Sequence, residues 1–178
     1  MKKKKILHRR LIRWVLGILV LVVLLFFSSL YIYINQNQSI SFPVQGGRKK
    51  DYDQKSFGAP RVGHKHRGVD IFASRGTPVL SSTRGLLIFT GVLKLGGNAV
   101  LIIGPEFRMY YYAHLDTILT RKFTLVDQSQ IIGEVGNTGN AITTPPHLHF
   151  SVSKIIPFNG KFYYDPVPIL NSTFSQSK

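Results

Sequence analysis

The stretch from Trp14 to Ile34 contains no charged residue, and it limits where the rest of the chain can fold. A helix needs about 20 apolar residues to cross a bilayer. Basic residues precede the stretch: Lys2, Lys3, Lys4, Lys5, Arg9, Arg10 and Arg13. Because basic flanks favour the cytoplasmic side, residues 14–34 are predicted to be a transmembrane anchor, with residues 1–13 in the cytoplasm.

A cleaved signal peptide is the alternative interpretation, since it also combines a basic flank with an apolar core. Ser28-Ser29 could imitate a cleavage site, but the apolar run continues to Ile34 and no Ala-x-Ala pattern follows. An uncleaved anchor is therefore favoured. The chain has no cysteine, which excludes a lipid-modified cysteine, disulfides and thiolate metal ligands.

The remainder of the chain is expected to form one folded domain. Residues 35–56 are polar and are predicted to be a linker, and residues 171–178 a C-terminal tail. Residues 57–170 are enough for a single core. Short segments rich in β-branched or aromatic residues predict strands at Leu86–Thr90, Ala99–Ile103, Met109–Ala113, Ile131–Ile132 and Leu148–Val152. We therefore predict an all-β, antiparallel, sandwich-like domain.

Two short motifs in this domain offer metal-ligating side chains. They are His66-Arg67-Gly68-Val69-Asp70 and His147-Leu148-His149. Catalytic zinc is usually held by three histidine or carboxylate ligands, and a water molecule occupies the fourth position. Two histidines and one aspartate from these motifs would complete such a set.

Strand geometry can be applied to both motifs. A strand rises about 3.3 Å per residue, so His147 and His149 would point the same way with Cα atoms roughly 7 Å apart. One of them could bind the metal while the other reaches the bound water. His66 and Asp70 would be about 13 Å apart if the chain were extended. The segment between them must bend, and Gly68 at its midpoint permits this.

Other arrangements of the histidines are less favoured. A His-Glu-x-x-His helix is excluded, because Gly68 weakens a helix and no glutamate flanks either motif. His64 is an alternative ligand to His66, but the match of His66 to Gly68 and Asp70 favours His66, and His64 is interpreted as an exposed or cleft-lining residue. Arg61 is interpreted as an exposed charge, with a contact to a peptide carboxylate as the alternative.

Further tracts accompany the two motifs in a fixed order. They are Gly76-Thr77-Pro78-Val79, Tyr111-Tyr112-Ala113-His114-Leu115 and Ile132-Gly133-Glu134-Val135-Gly136-Asn137-Thr138-Gly139, and Phe150 follows the second histidine motif. Together these tracts resemble the lysostaphin-type (LytM-like) zinc endopeptidases of peptidoglycan over roughly residues 57–153. The resemblance implies one zinc ion per chain, bound by His66, Asp70 and His149. It also implies that His114 and His147 flank the catalytic water.

The activity implied by the resemblance is hydrolysis of peptide cross-links in peptidoglycan. The zinc would polarise the scissile carbonyl, and His114 or His147 would transfer a proton or stabilise the oxyanion. The alternative is a non-hydrolytic regulator that delivers other hydrolases to the wall, although intact ligand positions favour an enzyme. The sequence leaves open whether D-Ala to diaminopimelate bonds or glycine bridges are cut.

Charge and topology indicate where this activity would take place. The chain has a net charge of +15, but its basic residues outside the N-terminus are scattered, so nucleic acid is not an expected partner. A basic external domain suits polyanionic wall polymers or lipid head groups. We expect a single-pass protein of the bacterial cytoplasmic membrane, with its domain on the outer side.

Overall fold

The computed structural model describes residues 2–36, 40–61, 63–158 and 161–175, and the chain divides into two compact units, Met1–Gln36 and Asn37–Lys178. The first unit is helix α1 (Lys2–Asn35). Its segment His8–Asn35 contains an 18-residue window with a mean hydropathy of 2.8, and the helix is long and apolar enough to cross a membrane. The helix extends beyond the predicted residues 14–34 because the basic flank is itself composed of good helix formers.

The second unit is built from antiparallel strands. They are β1 (Pro60–Arg61), β2 (His64–Lys65), β3 (Val69–Phe72), β4 (Pro78–Leu80), β5 (Gly85–Leu93), β6 (Gly97–Ile103), β7 (Arg108–Ile118), β8 (Thr124–Val126), β9 (Ile131–Val135), β10 (His147–Phe158) and β11 (Lys161–Tyr164), and helix α2 (Val167–Ser175) follows. The main sheet has the order β11-β10-β7-β6-β5-β8, and β9 pairs with both β7 and β4. Strands β1 and β2 form a separate two-stranded sheet.

The prediction of an antiparallel all-β domain preceded by an apolar helix is confirmed. The five predicted strands lie within β5, β6, β7, β9 and β10. Strands β3 and β4 were not predicted, because strands of three or four residues are too short to display a recognisable alternation. This omission matters for the site, since Asp70 lies in β3.

Strand β10 is the central element for the site. It pairs with β7 along one edge, and with β3 and then β11 along the other. The side chains of its alternate residues Leu148, Phe150 and Val152 are buried in the core. Because side chains alternate across a strand, the burial of these residues directs His147 and His149 to the opposite face.

The segments on either side of the predicted domain pack against it. Val44 forms a bridge to Val79, Tyr52 forms one to Ile71, and both Val44 and Tyr52 are buried. This packing differs from the linker expected at residues 35–56, of which residues 37–39 lie outside the described part of the chain. The packing of Val44 and Tyr52 could not be predicted from the sequence, because each of these apolar residues stands alone among polar ones.

The described part of the predicted tail, residues 171–175, also differs from the expectation, and residues 176–178 lie outside the described residues. Helix α2 continues to Ser175, and Leu170 is fully buried. The Tyr52 hydroxyl donates a hydrogen bond of 2.9 Å to Oδ1 of Asn171. Residues before and after the predicted domain therefore meet one another.

One buried hydroxyl gives a test of the core. Tyr112 is fully buried, and its hydroxyl oxygen accepts a hydrogen bond of 2.8 Å from the backbone N–H of Ser82. Tyr112→Phe would leave that N–H without its partner, so we expect a loss of about 1–3 kcal/mol in the free energy of unfolding. Urea unfolding of the full chain in detergent measures this loss. Tyr163→Phe, at a partly exposed position, is the control, and an equal effect of both substitutions would contradict the prediction.

Candidate metal centre

The atoms that could bind a metal form a small triangle. His66 Nε2 lies 3.1 Å from Asp70 Oδ1 and 3.0 Å from His149 Nδ1. His149 Nδ1 lies 2.9 Å from Asp70 Oδ1. The structure thus brings together the three residues that the sequence predicted as ligands. The alternative ligand His64 is exposed in β2 and lies outside this cluster.

The backbone explains why these side chains converge. In the antiparallel pairing of β3 with β10, Asp70 is directly opposite His149. Side chains of opposed residues lie on the same face and within reach of one another. His66 precedes β3, and its backbone N–H donates a hydrogen bond of 2.8 Å to the carbonyl oxygen of Ala59.

The chemistry of the three atoms fits a cation. The Ser56 carbonyl can only accept, so the 2.9 Å contact with His66 Nδ1 requires a proton on that nitrogen. In neutral His66, Nε2 then carries a lone pair that faces the Asp70 carboxylate and His149. Two nitrogens and one oxygen bound to a tetrahedral zinc ion would be separated by roughly 3.3 Å, close to the observed spacing. A cation bound between these three acceptor atoms would remove the repulsion between their lone pairs.

Protonation states support the same interpretation. Burial would raise the pKa of Asp70, but its close contacts with the His149 and His66 rings hold it well below its ordinary value. Burial lowers the pKa of His149 and lowers that of His114 to about 4. At neutral pH Asp70 is therefore ionised and these histidines are neutral, which are the forms that bind metals or accept protons.

Gly68 has a different importance from the one predicted. The chain bends there, but its φ lies outside the left-handed region, so no special backbone freedom is required. Gly68 is required because there is no room for a side chain at this position. A Cβ atom on Gly68 would lie 2.5 Å from the Phe150 carbonyl oxygen and 2.8 Å from Nε2 of His149.

Gly68→Ala should therefore disturb the metal centre directly. We expect β10 to be displaced or the His149 ring to rotate, with weaker metal binding and a lower melting temperature. Gly17→Ala is the control, since nothing lies within 4 Å of a Cβ at that position in α1. Metal titration and thermal unfolding of both variants check the prediction, which fails if Gly68→Ala behaves like Gly17→Ala.

A β-bulge positions His114 beside the triangle. Tyr112 pairs with Val100 and Leu115 pairs with Asn98, so two residues of β7 oppose one of β6. His114 takes the second of these positions with a φ of 62°, unusual for a residue other than glycine. Bulges of this kind redirect side chains near active sites. His114 Nδ1 donates a hydrogen bond of 2.9 Å to the Thr138 carbonyl, which leaves Nε2 as the proton acceptor.

His147 approaches the triangle from β10. Its Nδ1 donates a hydrogen bond of 2.8 Å to the Pro145 carbonyl, and its Nε2 lies 4.0 Å from Asp70 Oδ1. The rings of His147 and His114 have centroids 5.0 Å apart. The two histidines that the sequence assigned to catalysis therefore lie next to the candidate ligands.

The cluster opens into a cleft of about 880 Å³. Tyr111 lines the cleft, with its ring 6.2 Å from that of His149, while Tyr110 and Tyr112 are buried in the core. Tyr163 in β11 also lines the cleft, and sequence reasoning missed it because it lies beyond the recognisable motifs. The carbonyls of Ser56, Thr138 and Pro145 were missed as well, since backbone acceptors leave no signal in residue type.

The sequence is similar to a known peptidase family and to several characterised proteins. The sequence pattern of peptidase family M23 matches residues 64–166. The chain is 34% identical over 129 residues to the L-Ala--D-Glu endopeptidase of Bacillus subtilis, covering 67% of this chain and 38% of that protein. It is 33% identical over 99 residues to the murein hydrolase activator NlpD of Escherichia coli, covering 55% of this chain and 25% of that protein. The chain thus spans well under half of these relatives.

The fold is similar to that of a solved peptidase domain. The catalytic domain of lysostaphin from Staphylococcus simulans aligns with a TM-score of 0.57 and 32% sequence identity. The alignment covers 65% of this chain and 86% of that domain.

Proposed function

Because the chain belongs to peptidase family M23, we propose that it is a zinc endopeptidase that hydrolyses peptide cross-links of bacterial peptidoglycan. The observation that carries this proposal is the triangle of His66 Nε2, Asp70 Oδ1 and His149 Nδ1, with edges of 2.9–3.1 Å. Relatives named as an L-Ala--D-Glu endopeptidase and as a murein hydrolase activator support a peptide substrate of the cell wall.

The three triangle atoms would hold one zinc ion. Bound zinc would acidify a water molecule and polarise the scissile carbonyl. The hydrogen bond from His66 Nδ1 to the Ser56 carbonyl leaves Nε2 as the atom that would bind the ion. Such a hydrogen bond fixes both the orientation and the tautomer of a ligating histidine.

His114 and His147 would transfer protons and stabilise the negative charge that develops on the oxyanion. In both His114 and His147 the Nδ1–H is held by a backbone carbonyl, so proton exchange occurs at Nε2. His114, whose Nδ1 is held by the Thr138 carbonyl and whose Nε2 is left as an acceptor, is placed to take a proton from the attacking water and to return it to the leaving amine. His147 Nε2, 4.0 Å from a candidate ligand oxygen, is placed to stabilise the oxyanion or to share this transfer.

Residues 14–34 would anchor the enzyme in the cytoplasmic membrane with its domain outside. The support for this is the uncharged helix with a basic flank at its N-terminal end. A reporter fused after Lys178 should then be active only outside the cytoplasm. Recovery of a mature chain beginning near Ser29 would show cleavage instead.

Digestion of purified sacculi tests the activity. The full chain in detergent is incubated with sacculi rich in D-Ala to diaminopimelate bridges and with sacculi rich in glycine bridges. Mass spectrometry of the released fragments identifies the bond that is cut. We expect zinc-dependent release from one of these wall types.

A non-hydrolytic activator of other wall hydrolases is the second candidate function. The similarity to the murein hydrolase activator NlpD favours it. It would be preferred if the chain binds zinc, releases no fragment from either wall type, and yet stimulates a separate wall hydrolase. The complete set of candidate ligands supports the enzyme over this alternative.

A further inference from the structure

Arg61 makes a contact with the candidate metal centre that the roles assigned so far do not use. Its guanidinium donates a hydrogen bond of 2.9 Å to Oδ2 of Asp70. The other oxygen of the same carboxylate, Oδ1, faces His66 and His149. The two oxygens of Asp70 are thus divided between an arginine and the ligand triangle.

We infer that Arg61 is a positioning residue that restricts Asp70 to a single ligating oxygen. A free carboxylate can bind a metal through one or both oxygens. With Oδ2 engaged by a charge-assisted hydrogen bond, only Oδ1 is presented to the ion. The coordination position that Oδ2 would otherwise take stays open for the water. This inference rests on the proposed zinc site.

The location of Arg61 supports a positioning role. It lies in β1, in the small sheet that is separate from the main one. That sheet is joined to the site through His66, whose backbone N–H bonds to the Ala59 carbonyl and whose carbonyl accepts from the Gly58 N–H, both at 2.8 Å. The small sheet therefore fixes one ligand through its backbone and a second through the Arg61 side chain.

Two opposing effects decide what the loss of Arg61 would do to zinc affinity. The positive charge of Arg61 repels the ion, so its removal would strengthen binding. However, its side chain is 46% exposed, and water and salt screen that repulsion. Orientation of the carboxylate is not screened, and loss of an outer hydrogen-bond partner costs on the order of 10–100-fold in metal affinity. We therefore expect positioning to dominate.

Arg61→Met tests the inference, because methionine keeps the apolar stem and removes every donor. In the full chain in detergent, the zinc dissociation constant should rise on the order of tenfold or more. Arg61→Lys, which keeps a positively charged donor group, should recover part of the affinity. In the cobalt-substituted protein, Arg61→Met should weaken the visible absorption, because Asp70 would then bind through both oxygens and raise the coordination number.

Arg67→Met is the matched control. Arg67 lines the same cleft and follows a candidate ligand in the chain, but its guanidinium lies over the Tyr163 ring at 5.1 Å rather than on Asp70. Its zinc affinity and cobalt spectrum should match those of the unaltered chain. Thermal unfolding of the metal-free variants detects any general loss of structure, and Arg61→Gln serves as a second substitution if Arg61→Met does not fold.

The outcomes separate this inference from the proposed function. If the unaltered chain binds no zinc, the proposed function itself fails. If the unaltered chain binds zinc and Arg61→Met binds it equally or more tightly, or shows an unchanged cobalt spectrum, the positioning role of Arg61 is wrong and the metal site stands.

Discussion

Removal of any one candidate ligand should abolish both zinc binding and hydrolysis. We expect His66→Ala, Asp70→Ala and His149→Ala each to lose zinc affinity by more than the 10–100-fold typical of an outer hydrogen-bond partner. The reason is that each removes one corner of a triangle whose edges are only 2.9–3.1 Å. Zinc per chain and release of wall fragments are measured on the same samples.

His64→Ala is the matched control for the ligand variants. His64 is an exposed histidine of the same cleft, close in sequence to His66 and outside the triangle. It should retain both zinc and activity. If His64→Ala loses the metal while His66→Ala keeps it, the ligand assignment is incorrect.

Substitution of the two flanking histidines should separate catalysis from metal binding. His147→Ala and His114→Gly are expected to keep zinc, while hydrolysis falls by something on the order of 10²-fold or more. Glycine is chosen at position 114 because the φ of 62° would strain an alanine there. Single-turnover digestion of sacculi and zinc analysis together measure the effect.

The structure also indicates how these variants could contradict the assigned roles. The Nδ1 of each flanking histidine binds a backbone carbonyl, and neither ring belongs to the ligand triangle. Loss of zinc from His147→Ala would therefore mean that His147 acts as a ligand. Full activity in His114→Gly would remove His114 from the proton transfer.

Much of the fold was predictable from the sequence because the long strands carry a regular pattern. The segment Leu148–Val152 alternates between core and site residues, and the structure places it within β10. Membership of the lysostaphin-type family, predicted from the ordered motifs, is confirmed. The packing of Val44 and Tyr52 was not predictable, since an isolated apolar residue in a polar segment carries no periodicity.

The candidate site was predictable in its side chains but not in the groups that orient them. Histidine and aspartate indicate metal chemistry by residue type, and the resemblance to the lysostaphin-type family selected His66, Asp70 and His149 among them. The carbonyl that holds His66 Nδ1 belongs to Ser56, and any residue there would supply it. The bulge at His114 and the contact of Arg61 with Asp70 likewise depend on tertiary geometry alone.

The pairing of β3 with β10 has a consequence for the timing of activity. Asp70 and His149 face each other across these strands although they are far apart in the chain. In the proposed topology residues 1–13 stay in the cytoplasm and the domain crosses the membrane beginning with its N-terminal end, so His66 and Asp70 would emerge well before His149. Closure of so long a loop is slow, and metal affinity depends on a complete ligand set. If the proposed function holds, a partly translocated domain would therefore lack hydrolytic capacity until β10 is in place.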